Sequence, residues 1–121
     1  MSHAAQAYAR TSQTTAPPRE IEAQALLKAA RQLQDVQANW TGPDKNMHNA
    51  LLFNRRLWSI FMSAAETTDN PQPPEVRQNI LRIATFVMRQ TVDMQLDPNP
   101  EKLKSLISIN CNIAAGLAGR A

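Results

Sequence analysis

The sequence contains little glycine, a single cysteine and few aromatic side chains. Only 3 of its 121 residues are Gly, and sheet proteins of this size need many more Gly or Asn-Gly turns to reverse the chain. The single cysteine cannot form an internal disulfide, which fits a reducing compartment. Aromatic residues make up 5% of the composition, so aliphatic side chains and Met must fill most of a core. These scarcities favour an all-helical fold.

Long apolar runs and strong charge are also missing. No run approaches the roughly 20 apolar residues that cross a bilayer, and the N-terminus has no apolar block of signal-peptide length. We therefore expect a soluble, cytoplasmic protein without membrane insertion. The net charge of +3 is too small to predict a polyanionic partner by itself.

The residues needed for catalysis form no recognisable constellation. His3, His48 and Cys111 lack the spacing of zinc ligands, and Gly42 stands alone, without the further glycines of a phosphate-binding loop. The carboxylates are scattered and are typical of solvated helix surfaces. We therefore predict that the protein is not an enzyme and has no metal, cofactor or small-molecule substrate.

Proline divides the chain into a tail and four helical segments. Residues 1–16 are rich in Ala, Ser, Thr and Gln without a sustained period, which predicts a mobile N-terminal tail. Residues 17–121 alternate between helical patterns and short breaks that contain Pro. The predicted helices span residues 18–38, 44–66, 74–95 and 100–117. The fold prediction is a small four-helix bundle.

The second predicted helix has more apolar surface than the others. Its apolar residues cover an arc of roughly 200°, against about 100° for a helix that packs on one surface. Leu52 lies outside that arc, on the polar side. The helix is therefore either packed on several sides or packed on one side and open to a partner, self-association included. Self-association and binding of another protein's amphipathic helix in a groove stay open alternatives.

Two amides interrupt the apolar faces. Asn54 lies within the arc of the second helix and Asn110 within that of the fourth. A buried amide without partners costs a few kcal/mol, so each must be hydrogen-bonded. One interpretation is that they bond to each other, to backbone or to water in the core. The other is that they lie under a groove and meet a polar group of a partner.

Arginines on the second and third helices raise the alternative of nucleic-acid binding. Phosphate binding requires several cations on one surface. Arg55 and Arg56 are adjacent in sequence and about 100° apart on a helix, while Arg82 and Arg89 are seven residues apart. A solvated charged face is the favoured interpretation, and nucleic acid is not the predicted partner.

Several strings resemble the FlaF family of flagellar biosynthesis regulators. Residues 50–58, ALLFNRRLW, resemble its ALLxNRRLW signature, and residues 74–80 are similar to its PEVRQNI segment. Residues 106–117 are similar to its LIxIN and IAAGL tail. The resemblance covers roughly residues 4–118, and it departs at Cys111-Asn112, where charged residues are usual.

The resemblance implies a cytoplasmic protein of flagellated alphaproteobacteria that binds flagellin before secretion as a chaperone. It also implies opposition to a partner regulator, FlbT, which represses flagellin translation. One alternative is a post-transcriptional regulator that acts on flagellin mRNA directly or through FlbT. Another is an adaptor that contacts FlbT or the export apparatus and not flagellin.

The family pattern also yields candidate partner-binding residues, several of them polar side chains that a simple core does not require. They are Asn54, Arg55, Arg56, Trp58, Arg77, Gln78 and Asn79. Trp58 lies on the apolar stripe as well, where core packing is the commoner role.

Overall fold

The computed structural model describes residues 18–119, which form four helices and, within that range, no strand. The helices are α1 (Pro18–Ala38), α2 (Lys45–Glu66), α3 (Pro74–Leu96) and α4 (Leu103–Leu117). A 3-10 turn at Pro100–Lys102 leads into α4. The all-α four-helix prediction is confirmed. The predicted mobile tail, residues 1–16, lies outside the described residues.

Side chains supply first-turn hydrogen bonds at the start of α2 and of the 3-10 turn. Asp44 precedes α2, and its Oδ1 accepts from the backbone N–H of Met47 at 2.9 Å. Asn99 likewise accepts from the N–H of Glu101 at 3.0 Å, ahead of Pro100. In the α1–α2 loop Gly42 has φ 115°, a conformation that side chains disfavour. The predicted helix bounds differ from these by at most one residue, except that residues 100–102 form the 3-10 turn.

The helices do not contact one another equally. α1 packs along α4 and against α2, and α2 packs in turn against α3. By contrast, α3 touches α4 only lightly, although the two are consecutive in sequence. One flank of α3 is therefore supported by α2, and much of its remaining surface is left without a helical neighbour.

Aliphatic side chains and Met fill most of the core, as the composition predicts. Its largest fully enclosed apolar members are Leu26, Leu33, Met47, Leu51, Trp58, Val87, Met94, Leu103 and Leu106. Trp58 is the aromatic residue among them, and its ring packs edge to face against that of Phe61, with the ring centroids 5.3 Å apart.

An amide pair lies within this apolar core. The Nδ2 of Asn110 donates to the Oδ1 of Asn54 at 2.6 Å, and the indole N–H of Trp58 donates to the Oδ1 of Asn110 at 2.9 Å. All three side chains are at most 1% exposed. The interpretation that the two asparagines bond to each other in the core is confirmed.

None of the helices in the described part of the chain is long and apolar enough to cross a membrane.

Candidate partner-binding surfaces

The structure places two of the seven predicted contact residues inside the bundle. Asn54 is 0% and Trp58 1% exposed, and both belong to the hydrogen-bonded core pair with Asn110. Their side chains support α2 from within. This burial favours a structural role for both side chains, and direct contact of Asn54 or Trp58 with a partner stays a prediction.

Arg55 and Arg56 are both exposed but face in different directions. Adjacent helical residues diverge by about 100°, and of the two only Arg56 lines the groove between α1 and α2. Both side chains are free of core packing and available to a partner. Contact of Arg55 or Arg56 with a partner protein stays a prediction.

Arg77 has a structural task that the sequence did not reveal. It is half-buried at the start of α3, and its Nη1 donates to the backbone carbonyl of Thr67 at 2.9 Å. Asn70 holds the same α2–α3 loop by donating to the carbonyl of Ala64 at 2.8 Å and accepting from the N–H of Gln72. Arg77 thus ties α3 to the loop before it. Its neighbours Gln78 and Asn79 are exposed.

The larger concavity lies between α1 and α2. This α1–α2 groove has a volume of about 590 Å³ and is formed by the end of α1, the connecting loop and the first half of α2. Its apolar members are Val36, Trp40, Ala50, Leu52 and Phe53. Charged groups of both signs, Asp35, Asp44 and Arg56, complete it. Apolar surface with a few charges at fixed places is suited to an amphipathic segment.

A cation covers part of the ring of Phe53 in the groove. The Nζ of Lys28 on α1 lies 5.3 Å from the ring centroid, within the range of a cation–π contact. Val36 on α1 and Trp40 in the loop after it also line this groove, and neither was predicted as a site residue. The signal was the apolar Trp40 within a Thr-Gly-Pro break, where a solvated loop requires no tryptophan.

A second, smaller cleft lies at the other end of α2. It has a volume of about 260 Å³ and lies among residues of all four helices and the α2–α3 loop. Its lining is mainly apolar and includes Trp58, Phe61, Ile80, Ile83, Ile113 and Leu117. Trp58 therefore borders a cleft although its ring is almost wholly enclosed.

Exposed large hydrophobic side chains occur on α2 and α3 and on neither of the other two helices in the described range. On α2 these are Leu52 (40% exposed) and Ile60 (65%). On α3 they are Val76, Phe86, Val92 and Leu96. The excess of apolar surface predicted for α2 is present as these two exposed side chains. The exposed apolar side chains of α3 were not predicted from the sequence.

Within the described residues, no group of three or more His, Cys, Asp or Glu side chains is placed to hold a metal ion. The pKa of Lys102 departs from its ordinary value. Burial lowers the pKa of Lys102, but hydrogen bonds and attraction from Asp93 and Asp97 outweigh it, and the pKa is raised above its usual 10.5. Lys102 lies 3.1 Å from each carboxylate and closes the α3–α4 connection.

A family model described as flagellar protein FlaF matches residues 4–117. The match includes all four helices and the residues that line both concavities. No curated protein and no solved structure matched the chain.

Proposed function

This chain belongs to the FlaF family of flagellar proteins, and from that premise we propose that it binds flagellin in the cytoplasm as a secretion chaperone. In this role it promotes the production and export of flagellin. The surface that we assign to flagellin is the α1–α2 groove together with the exposed face of α2 beside it.

The observation that carries this proposal is the incomplete burial of α2. Leu52 and Ile60 are 40% and 65% exposed, and Leu52 and Phe53 line the α1–α2 groove. Exposed large apolar side chains in and near a groove are typical of a protein interaction site. An amphipathic helix occupies such a groove through apolar residues three or four positions apart.

Flagellin is a suitable occupant because its terminal regions are helical once assembled. Before assembly, their apolar faces require cover. In the groove, Leu52, Phe53 and Trp40 would receive apolar side chains of such a helix. Arg56 on one helix and Asp35 on the other would pair with its charges and fix its direction.

The direct test is complex formation between the purified full-length protein and monomeric flagellin at micromolar concentration. Size-exclusion chromatography should show one complex. Leu52→Asp should raise the Kd at least tenfold, because it places a carboxylate within the apolar part of the groove. Ser108→Asp is the matched control, since it adds the same charge at an exposed position of α4. The far-ultraviolet circular dichroism of both variants should match the wild type.

Failure of flagellin to co-elute would count against the proposal, as would equal loss of binding in both variants. Binding assays with two further candidate partners, the flagellin mRNA leader and an FlbT-type regulator, distinguish the alternative functions. Binding of the flagellin mRNA leader that weakens steeply with salt would indicate direct action on RNA. Capture of an FlbT-type regulator without flagellin would indicate an adaptor.

A further inference from the structure

The charges of the α2–α3 pair are unevenly distributed. Between residues 46 and 65 of α2 there are two arginines and no carboxylate. Between residues 76 and 92 of α3 there are three arginines and again no carboxylate. The acidic residues lie on α1, at helix ends and in loops. A protein of net charge +3 thus carries five arginines and no carboxylate in these two stretches of one helical pair.

The outward face of α3 combines these cations with apolar side chains. Arg82, Phe86 and Arg89 follow one another at spacings of four and three residues, so they share one side of the helix. Val92 and Leu96 continue the face toward the end of α3. Phe86 is 43%, Val92 51% and Leu96 80% exposed. We call these five residues the α3 face.

A solvated helix face usually has charges of both signs and few large apolar groups. The α3 face has three exposed large apolar groups and two arginines. Asp93, four residues after Arg89, lies on the same side of the helix, but its carboxylate is paired with Lys102 at 3.1 Å. Since α3 packs mainly on α2 and touches α4 only lightly, the described part of the chain provides no helix to cover this face.

We propose that the α3 face is a second binding surface, for an acidic amphipathic helix of a partner protein. Phe86, Val92 and Leu96 would contact the apolar side of that helix, while Arg82 and Arg89 would pair with its Glu or Asp side chains. None of the residues lining the α1–α2 groove belongs to α3. The two surfaces are therefore separate, and both partners can be bound at once.

The aliphatic side chains of the α3 face favour a protein helix over RNA as its binding partner. Valine and leucine offer nothing to phosphates or base edges, whereas single-stranded RNA is bound through stacking on several aromatic rings above a cationic groove. The α3 face has one aromatic ring, Phe86, and is not part of either concavity. An acidic amphipathic helix would contact both the apolar side chains and the arginines of the α3 face.

The test uses isotope-labelled full-length protein and a designed peptide of about 20 residues, long enough to be helical. The peptide carries Leu on one side and Glu on the other. A second peptide has every Glu replaced by Lys. The Glu peptide should shift amide resonances between Arg82 and Leu96 and should bind more weakly as salt is added. The Lys peptide should bind at least tenfold more weakly.

Two variants give the residue-level test. Arg82→Glu/Arg89→Glu should raise the Kd for the Glu peptide at least tenfold and leave flagellin binding unchanged. Leu52→Asp should do the reverse, so failure at one surface is distinguishable from failure at the other. Lys104→Glu, an exposed charge reversal on α4, should change neither. Equal binding of both peptides, shifts confined to other helices, or polyuridine RNA binding that is lost in the double variant would each overturn the proposal.

Discussion

The side chain of Asn110 donates from Nδ2 to the Oδ1 of Asn54, although the two residues are 56 positions apart in sequence. The indole N–H of Trp58 donates in turn to the Oδ1 of Asn110. Both groups of the Asn110 amide are therefore used. The Nδ2 of Asn54, also buried, has no hydrogen-bond partner in the structure. The link between α2 and α4 consequently depends on Asn110 more than on Asn54.

We predict that Asn110→Leu destabilises the protein more than Asn54→Leu does. Leucine at residue 110 leaves the Trp58 N–H and the Asn54 Oδ1 without partners, and a buried unpaired group costs about 1–3 kcal/mol. Leucine at residue 54 leaves only the Asn110 Nδ2 unpaired and removes the Asn54 Nδ2. Urea unfolding should therefore show a difference of at least about 1 kcal/mol between the two variants.

The double variant Asn54→Leu/Asn110→Leu supplies the control. It leaves the Trp58 N–H as the only new unpaired group of the three residues, so it should be more stable than Asn110→Leu alone. If the losses of stability in the two single variants simply added up in the double variant, the hydrogen bond between Asn54 and Asn110 would be contradicted, because residues in contact deviate from additivity.

The position of the asparagines illustrates what the sequence could predict. Helical angle alone places Asn54 and Asn110 within apolar arcs, and burial of amides requires partners. Which helices face each other depends on packing between segments that are distant in sequence. The pairing was therefore one of several possibilities until the structure showed α4 against α1 and close enough to α2 for contact.

We predict that Arg77→Met loosens the α2–α3 loop. The substitution keeps the apolar stem and removes the bond from Nη1 to the Thr67 carbonyl. The loss should be about 1 kcal/mol, with faster amide hydrogen exchange at Asn70 and Gln72. Arg82→Met, also on α3 but exposed, is the control and should leave the exchange unchanged. Normal exchange combined with lost flagellin binding would instead identify Arg77 as a contact residue.

The seven predicted contact residues show the limit of a family pattern. Such a pattern does not distinguish residues kept for packing from those kept for a partner. Here it combined two buried core residues, Arg77, which holds the α2–α3 loop, and four exposed polar residues. The groove residues Val36 and Trp40 come from a helix end and a loop, and only the fold brings them beside Phe53.

We predict that Asp44→Ala destabilises the start of α2, whereas Asp44→Asn does not. The Asp44 Oδ1 accepts from the N–H of Met47, and loss of such a cap costs about 0.5–2 kcal/mol. An asparagine oxygen accepts the same bond, so Asn should preserve thermal stability within a few tenths of a kcal/mol. Equal losses in the two variants would show that charge, and not the hydrogen bond, stabilises this end.

We predict that the stabilising effect of Lys102 disappears at high pH. Its pKa is lowered by burial but raised more strongly by Asp93 and Asp97, and the net shift is upward from 10.5. A pKa raised on folding means that the protonated form stabilises the folded state. The contribution is complete below 10.5 and is lost as pH rises through the folded-state pKa above it. Unfolding of the wild type and Lys102→Met, measured between pH 8 and 12, should therefore show a gap that closes above about pH 10.5.

Every other titratable group is common to both proteins and cancels in that comparison. Lys104→Met is the matched control, because Lys104 is exposed on the first turn of α4 and forms neither of the two ion pairs. Its stability should follow the wild type at every pH. A gap for Lys102→Met that stays constant up to pH 12 would mean that the charge of Lys102 does not stabilise the α3–α4 connection.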